Sequence, residues 1–230
     1  MCRVGTSEGF CFLGSGQMTY LTRIEDKAAT TRTFQGGLVE GANVRTPCGP
    51  RRVELVRPGD LIVTRDTGLQ PVRMVWSRSV TDEDININPD LAPIRLQPRA
   101  VGPLMPQHHL SIAPDHRILV PGYRLLGQDE KKSCLIEARE LADTSDAAYV
   151  DRSRDVVRYF TFVFDSHQIF CANGLPVESF LPTTANIAAL NPNMKADLIG
   201  RFPQLRREPN SYPPAEYTIV SGAEYLPEHA

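Results

Sequence analysis

The chain has 230 residues, 41% of them hydrophobic, and a formal net charge of -2. This length allows one large domain, or one medium domain with extensions, to bury a core. The balanced charge and the lack of a basic stripe argue against nucleic acid as a partner. No run approaches the roughly 18 apolar residues of a spanning helix, so no membrane insertion is expected.

The beginning of the chain, MCRVGTSEGFCFLGSG, lacks the basic and apolar regions of a secretory signal. We therefore expect a cytoplasmic protein by default, with non-classical export left open. The cysteines are scattered without a C-x-x-C pair, which disfavours a disulfide framework and a zinc ribbon. We expect no metal and no cofactor. The five cysteines are Cys2, Cys11, Cys48, Cys134 and Cys171.

Residues 1–36 mix Gly, Ser, Thr and single apolar residues without a period, which predicts a loosely held N-terminal segment. From Leu38 onwards, short runs rich in Val, Ile, Leu and Phe alternate with Gly, Pro and Asp. Such runs predict strands and hairpins, and therefore an all-β fold. The runs include ANVRT, DLIVTR, PVRMVWSRSV, APIRLQP, LSIAPDHRILV and VVRYFTFVFDSHQIFCANG.

Two segments have helical composition. SCLIEARELAD, residues 133–143, predicts one or two helical turns, and MKADLIGRF, residues 194–202, predicts a short helix. The prolines that follow indicate an extended tail docked on the domain. We therefore expect the main domain over residues 37–182 and a small helical C-terminal extension over residues 183–230.

Three motifs occur in a fixed order along the main domain. The segment VEGANVRTPCGPRRVELVRPGDLIVTRD, residues 39–66, contains a Thr-Pro-x-Gly turn and a Gly-Asp turn. IAPDHRILV follows, with an internal histidine, and FDSHQIFCANGLPVESFLP, residues 164–182, closes the series. Together they resemble the Hint domain, the module shared by Hedgehog autoprocessing domains and inteins, in its bacterial branch.

The resemblance implies a self-processing chemistry that acts on the protein's own chain. In this family a first-position cysteine attacks the carbonyl before it and converts a peptide into a thioester. The histidine that matches His116 protonates the departing amide nitrogen, a role that suits an imidazole near neutral pH. A turn at Pro114 and Asp115 would aim that ring, and His167 belongs to the closing motif. The candidate catalytic residues are therefore His116, His167 and Asp115.

The sequence departs from the family pattern at the reactive positions. Counting back from Gly41, the nucleophile's position is Gly37. The residue three before His116 is Ala113, which cannot donate a side-chain hydrogen bond. Inteins end in His-Asn, whereas Glu178 and Ser179 stand here, so asparagine cyclisation is absent.

Three other thiols are candidates to replace the missing one. Cys11 precedes Phe12 in an echo of the family's opening, but the motif that should follow begins some thirty residues later. Cys48 reads as an exposed turn thiol. Cys171 follows His167 by four residues, so alternation would place both on one strand face, although a small buried hydrophobic residue is the better explanation.

The histidines also have simpler explanations. His108 and His109 read as solvated loop residues, and His116 and His167 as rings that hydrogen-bond backbone in a β core. A zinc site from His109, Asp115, His116 and His167 has suitable ligand types, but nothing in the spacing brings them together.

Three functional hypotheses follow. The first is a Hint-domain protein whose peptide cleavage is impaired because Gly37 occupies the nucleophile's position. The second keeps autocatalytic cleavage, the most enzyme-like activity expected, through another thiol or a water activated by His116. The third is a non-catalytic β scaffold that binds a protein partner.

Overall fold

The computed structural model describes residues 36–142, 146–208, 211–213 and 217–226. All of them belong to one compact unit that begins at Arg32. The N-terminal segment expected over residues 1–36, with Cys2 and Cys11, lies outside the described residues except for Gly36. No helix in the described ranges has the length and apolar character needed to cross a membrane.

The described residues form fourteen strands and four α-helices. The strands are β1 (Leu38–Val39), β2 (Asn43–Thr46), β3 (Gly49–Arg52), β4 (Leu61–Thr64), β5 (Gly68–Pro71), β6 (Met74–Thr81), β7 (Ile94–Leu96), β8 (Leu110–Ile112), β9 (Arg117–Pro121), β10 (Ser133–Glu137), β11 (Ala148–Val150), β12 (Val156–Val163), β13 (Ile169–Ala172) and β14 (Leu175–Glu178). The helices are α1 (Asp82–Ile87), α2 (Ala138–Ala142), α3 (Thr184–Ala189) and α4 (Pro192–Arg201).

The strands form two sheets, and the pairings between named strands are antiparallel. The six-stranded sheet has the order β11-β7-β8-β1-β12-β6. The second sheet has the order β10-β9-β14-β13-β2-β3, and β4 joins it by pairing with β13 and β5. The expected all-β fold of short strands and hairpins is confirmed.

The two-residue strand β1 lies in the middle of the six-stranded sheet. Leu38 is opposite Phe160 of β12 on one side and Ile112 of β8 on the other. All three side chains are buried in the main hydrophobic core. Because β1 bridges two longer strands, the residues just before it are fixed between β8 and β12 as well.

A second hydrophobic cluster attaches the C-terminal helices. Their N-termini are capped by the side chains of Thr183 and Asn191, which accept backbone hydrogen bonds. Leu198 of α4 is fully buried in this cluster with Phe180 and Trp76, and these two aromatic rings meet edge to face at 5.1 Å. The small helical extension expected after the closing motif is confirmed.

The one or two helical turns predicted within SCLIEARELAD are confirmed by α2, and the first half of the segment is a strand. Ser133–Glu137 is strand β10 and pairs along its whole length with β9, and only Ala138–Ala142 is helical. Three consecutive apolar residues, Cys134, Leu135 and Ile136, are all buried here. A strand covered on both faces can bury such a run, and its tertiary environment therefore overrides the local helical composition.

Candidate functional site

The peptide bond between Gly36 and Gly37 is held from both ends. The Gly37 N–H donates a hydrogen bond to Nδ1 of His116 at 3.1 Å, and the Thr161 hydroxyl donates to the Gly36 carbonyl at 3.3 Å. The Gly37 carbonyl accepts from the Ala113 N–H at 2.8 Å. An imidazole nitrogen therefore faces the amide nitrogen of this peptide, and a hydroxyl faces its carbonyl oxygen.

His116 is aimed by the turn between β8 and β9. Its backbone N–H donates to the Ala113 carbonyl at 3.0 Å, and β9 begins at the next residue. Because Nδ1 accepts a hydrogen bond, the neutral ring carries its proton on Nε2. That Nε2 is buried and has no hydrogen-bond partner within the described part of the chain.

Burial disfavours the charged form of His116. It lowers the pKa of the ring from 6.5 to about 4, an effect that the Glu178 carboxylate opposes and that Arg117 and His167 reinforce. At neutral pH the imidazole is therefore uncharged, in agreement with its role as hydrogen-bond acceptor.

A buried carboxylate lies beside this ring at the end of β14. Glu178 accepts hydrogen bonds from Nε2 of His167 at 3.2 Å, from the Arg117 N–H at 3.3 Å and from the Arg117 guanidinium at 3.5 Å. Burial alone would raise the pKa of Glu178, but the His167 hydrogen bond and the positive Arg117 hold it below its usual value. Nδ1 of His167 has no partner among the described residues.

The Asp115 side chain has a different partner from those of the two histidines. Its carboxylate is paired with the guanidinium of Arg139, whose other neighbours are Glu137 and Asp90 at 3.8 and 3.7 Å. The sequence-predicted set therefore separates into His116 at the Gly36–Gly37 peptide, His167 on Glu178, and Asp115 on Arg139.

A small cavity adjoins the held peptide. Its volume is about 20 Å³, which is room for a single water molecule. Gly36 lines this cavity together with six residues that carry polar side chains. The six are Asp115, His116, Thr161, Glu178, Ser179 and Asn186.

The alternative thiols and ligands do not converge on this peptide. Cys48 is exposed in the hairpin turn between β2 and β3, as expected. The thiol of Cys171 lines an open groove beside Arg45, and no described hydrogen bond joins it to His167. His167 precedes β13, so strand alternation does not extend to it. His109 is exposed, and its known hydrogen bond is made by its backbone carbonyl.

A side chain at Gly37 would be crowded by its neighbours and strained in its backbone. Its φ is +134°, a backbone region that favours glycine. A Cβ built there would approach Thr161 Oγ1 and Tyr159 Cβ at 3.1 Å and the Phe160 carbonyl at 3.2 Å. A cysteine at this position would require the backbone or its neighbours to move.

Two residues of the site were not selected from the sequence. Thr161 is the polar residue at the centre of the apolar run RYFTFVF, and a hydroxyl in such a strand needs a buried partner. Glu178 is a carboxylate within the apolar closing motif, where burial demands compensation. Both signals were present in the sequence, but neither identifies the partner.

Gly37→Ala is expected to destabilise the fold more than Gly41→Ala. Gly41 also has a positive φ, +91°, but no atom lies within 4 Å of a Cβ built there. Both substitutions should cost about 1 to 3 kcal/mol of backbone strain, and crowding against Thr161 should add to the cost at Gly37 alone. Urea denaturation of both variants measures the difference, and equal losses would contradict the crowding at Gly37.

Unfolding free energy is expected to fall as pH decreases from 6.5 to about 4, because the unfolded chain protonates His116 before the folded chain does. The loss should reach about 3 kcal/mol and level off below the folded pKa. Urea denaturation at stepped pH should give His116→Gln a flatter profile in this window. His108→Gln, which changes an exposed loop residue, should leave the profile unchanged. Parallel profiles for the wild type and His116→Gln would contradict the prediction.

Comparisons with family models and with solved structures both gave matches. A family model described as a Hint domain matches residues 37–184. The solved structures similar to this chain include a bacterial intein-like domain from Clostridium thermocellum, with 13% identity, a TM-score of 0.40 and coverage of 65% of this chain and 100% of that one. The gp41-1 intein has 12% identity, a TM-score of 0.37 and coverage of 63% and 98%. No curated protein matches the chain.

The family model covers more than half of the chain and begins at Gly37, the residue held by His116. The sheets and hairpins described above make up most of the matched range. The chain belongs to the Hint domain family.

Proposed function

We propose that this protein is a Hint domain that retains the groups holding its scissile peptide and has lost the thiol chemistry that acts on that peptide. The observation that carries the proposal is the hydrogen bond from the Gly37 N–H to His116, made by a residue that has no side chain. The module then serves as a stand-alone or accessory domain with impaired self-processing.

The missing step can be stated in terms of atoms. In the thioester route a thiol on residue 37 would add to the Gly36 carbonyl carbon, and the amide nitrogen of residue 37 would leave as an amine. The hydroxyl of Thr161 is suited to stabilise charge on the Gly36 oxygen. His116 is suited to protonate the leaving nitrogen. Glycine provides no atom for the attack, and its backbone conformation leaves little room for one.

The protonation state of His116 also opposes cleavage at neutral pH. Nδ1 must carry a proton before it can give one to the Gly37 nitrogen. With a pKa of about 4, the charged ring is a small minority at pH 7 and becomes more frequent as the pH falls. Two factors therefore oppose cleavage: residue 37 has no nucleophile, and His116 seldom carries the proton that the leaving nitrogen needs.

His167 and Asp115 take supporting roles in this proposal. His167 donates to Glu178 and so compensates a buried carboxylate next to His116. Asp115 is tied to Arg139 and fixes the turn that aims His116. We assign both to positioning, since neither makes a described hydrogen bond to the Gly36–Gly37 peptide.

The cavity beside the peptide favours a second candidate, slow hydrolysis by one water molecule. The water oxygen would add to the Gly36 carbonyl carbon and lose a proton, the carbon–nitrogen bond would break, and the Gly37 nitrogen would receive a proton. The products would be a carboxylate at Gly36 and a chain that begins at Gly37.

Intact mass after a day of incubation at pH 7 and pH 5, with and without dithiothreitol, separates these candidates. We expect the wild type, His116→Ala and Cys11→Ser all to keep their full mass, because residue 37 is a glycine and provides no thiol to attack the Gly36 carbonyl. A product beginning at Gly37 would contradict the loss of activity.

The character of such a product would identify the route. Cleavage that dithiothreitol accelerates and Cys11→Ser abolishes would indicate a displaced thiol. Cleavage that places ¹⁸O from labelled water in the Gly36 carboxylate, and that His116→Ala abolishes, would indicate the water route.

A further inference from the structure

Two neighbouring surface cavities form a groove away from the Gly36–Gly37 peptide. Their volumes are about 740 and 270 Å³, and both are lined by Arg45, Cys171 and Gly174. Apart from Phe170, none of their residues lines the small cavity beside His116. We call this pair of cavities the Cys171 groove.

The walls of the Cys171 groove are fixed by one asparagine. Asn173, at the β13–β14 turn with φ 47°, accepts the Asn43 N–H at 2.8 Å and donates to the His109 carbonyl at 2.7 Å through its side chain. Its own carbonyl accepts the Gln107 N–H at 2.8 Å. The β2–β3 hairpin and the 107–109 loop are thereby held at a set separation, so the groove is already formed without a ligand.

The charge of the groove is positive although the protein as a whole is slightly negative. Arg45, Arg65 and His108 line it, and no Asp or Glu belongs to the lining of either cavity. The exposed guanidinium of Arg45 makes no hydrogen bond or ion pair within the described residues. Burial raises the pKa of Cys171, and Arg45 and Arg65 oppose this shift, so both positive charges act at the centre of the groove.

The smaller cavity adds an apolar surface between these charges. Val63, Met105 and Pro176 line it together with the half-buried Cys171. An inorganic anion would leave this surface uncovered, whereas an aliphatic side chain would bury it. A ligand that satisfies both features has carboxylates for the arginines and an aliphatic group for the apolar surface.

We propose that the Cys171 groove binds an extended acidic peptide of a partner chain, with an aliphatic residue flanked by Glu or Asp. The carboxylates pair with Arg45 and Arg65, and the aliphatic side chain covers Val63 and Cys171. This partner binding does not depend on whether the Gly36–Gly37 peptide is cleaved.

Fluorescence polarisation with a labelled Gly-Glu-Leu-Glu-Leu-Glu-Gly peptide tests the proposal. We expect saturable binding that weakens with added salt, and binding about tenfold weaker or worse for Arg45→Glu and for Arg65→Glu. Arg152→Glu, which makes the same charge change at an exposed residue outside the groove, should bind like the wild type. Unchanged thermal unfolding of the variants establishes that the fold is intact.

Peptides in which Lys replaces Glu, or Gly replaces Leu, are expected to bind at least about tenfold more weakly. The proposal is overturned if the acidic peptide shows no saturation up to about 1 mM, or if Arg45→Glu and Arg152→Glu weaken it equally. Equal competition by inorganic phosphate would likewise overturn it, since the site would then recognise a bare anion.

Alkylation provides a second readout at the centre of the groove. Bound peptide should slow the reaction of Cys171 with iodoacetamide, followed by peptide mass mapping, and the same peptide should give no protection in Arg45→Glu. Absence of protection in the wild type, or equal protection in Arg45→Glu, would place the peptide elsewhere and contradict the proposal.

Discussion

The hydrogen bond from the Gly37 N–H to Nδ1 of His116 connects the residue just before β1 to the turn between β8 and β9. The strand that follows Gly37 has two residues, yet it joins β8 to β12 in the six-stranded sheet. So short a strand has few ladder hydrogen bonds of its own. The bonds that Gly37 makes with His116 and Ala113, and Gly36 with Thr161, therefore extend its attachment to the sheet.

In the proposed function these contacts are those that a self-processing domain would need, and Gly37 supplies no side chain that could attack the peptide. An imidazole at the amide nitrogen and a hydroxyl at the carbonyl oxygen hold a peptide bond whose first residue is glycine. The same burial that makes His116 a good acceptor keeps it uncharged, and Glu178 is compensated by His167 and Arg117. Stable hydrogen bonding of the peptide and efficient proton donation to it are thus opposing demands on one ring.

The sequence was sufficient to predict the strands and the Hint family, because these depend on local patterns and motif order. It was not sufficient to predict the partners of the site's side chains. Thr161 bonds to a carbonyl 125 residues away, and no local pattern encodes such a contact. The strand in the first half of SCLIEARELAD was not predicted for a similar reason, since it depends on pairing with β9.

The charged residues illustrate the same limit. Asp115 precedes His116 and was grouped with it, but Arg139 on α2 takes its carboxylate. Glu178 departs from the intein ending in the sequence, but only the fold shows that it accepts hydrogen bonds from His167 and Arg117. Composition indicated which side chains needed partners, and tertiary structure decided which partners they found.

The protonation of His116 in the folded protein tests the central claim most directly. Nitrogen-15 NMR at pH 7 should find Nδ1 unprotonated and Nε2 protonated, with a scalar coupling between Nδ1 and the Gly37 amide nitrogen across the hydrogen bond. The exposed His108 serves as the reference ring, without such a coupling. A proton on Nδ1 of His116, in either the other neutral tautomer or the imidazolium, would contradict the account.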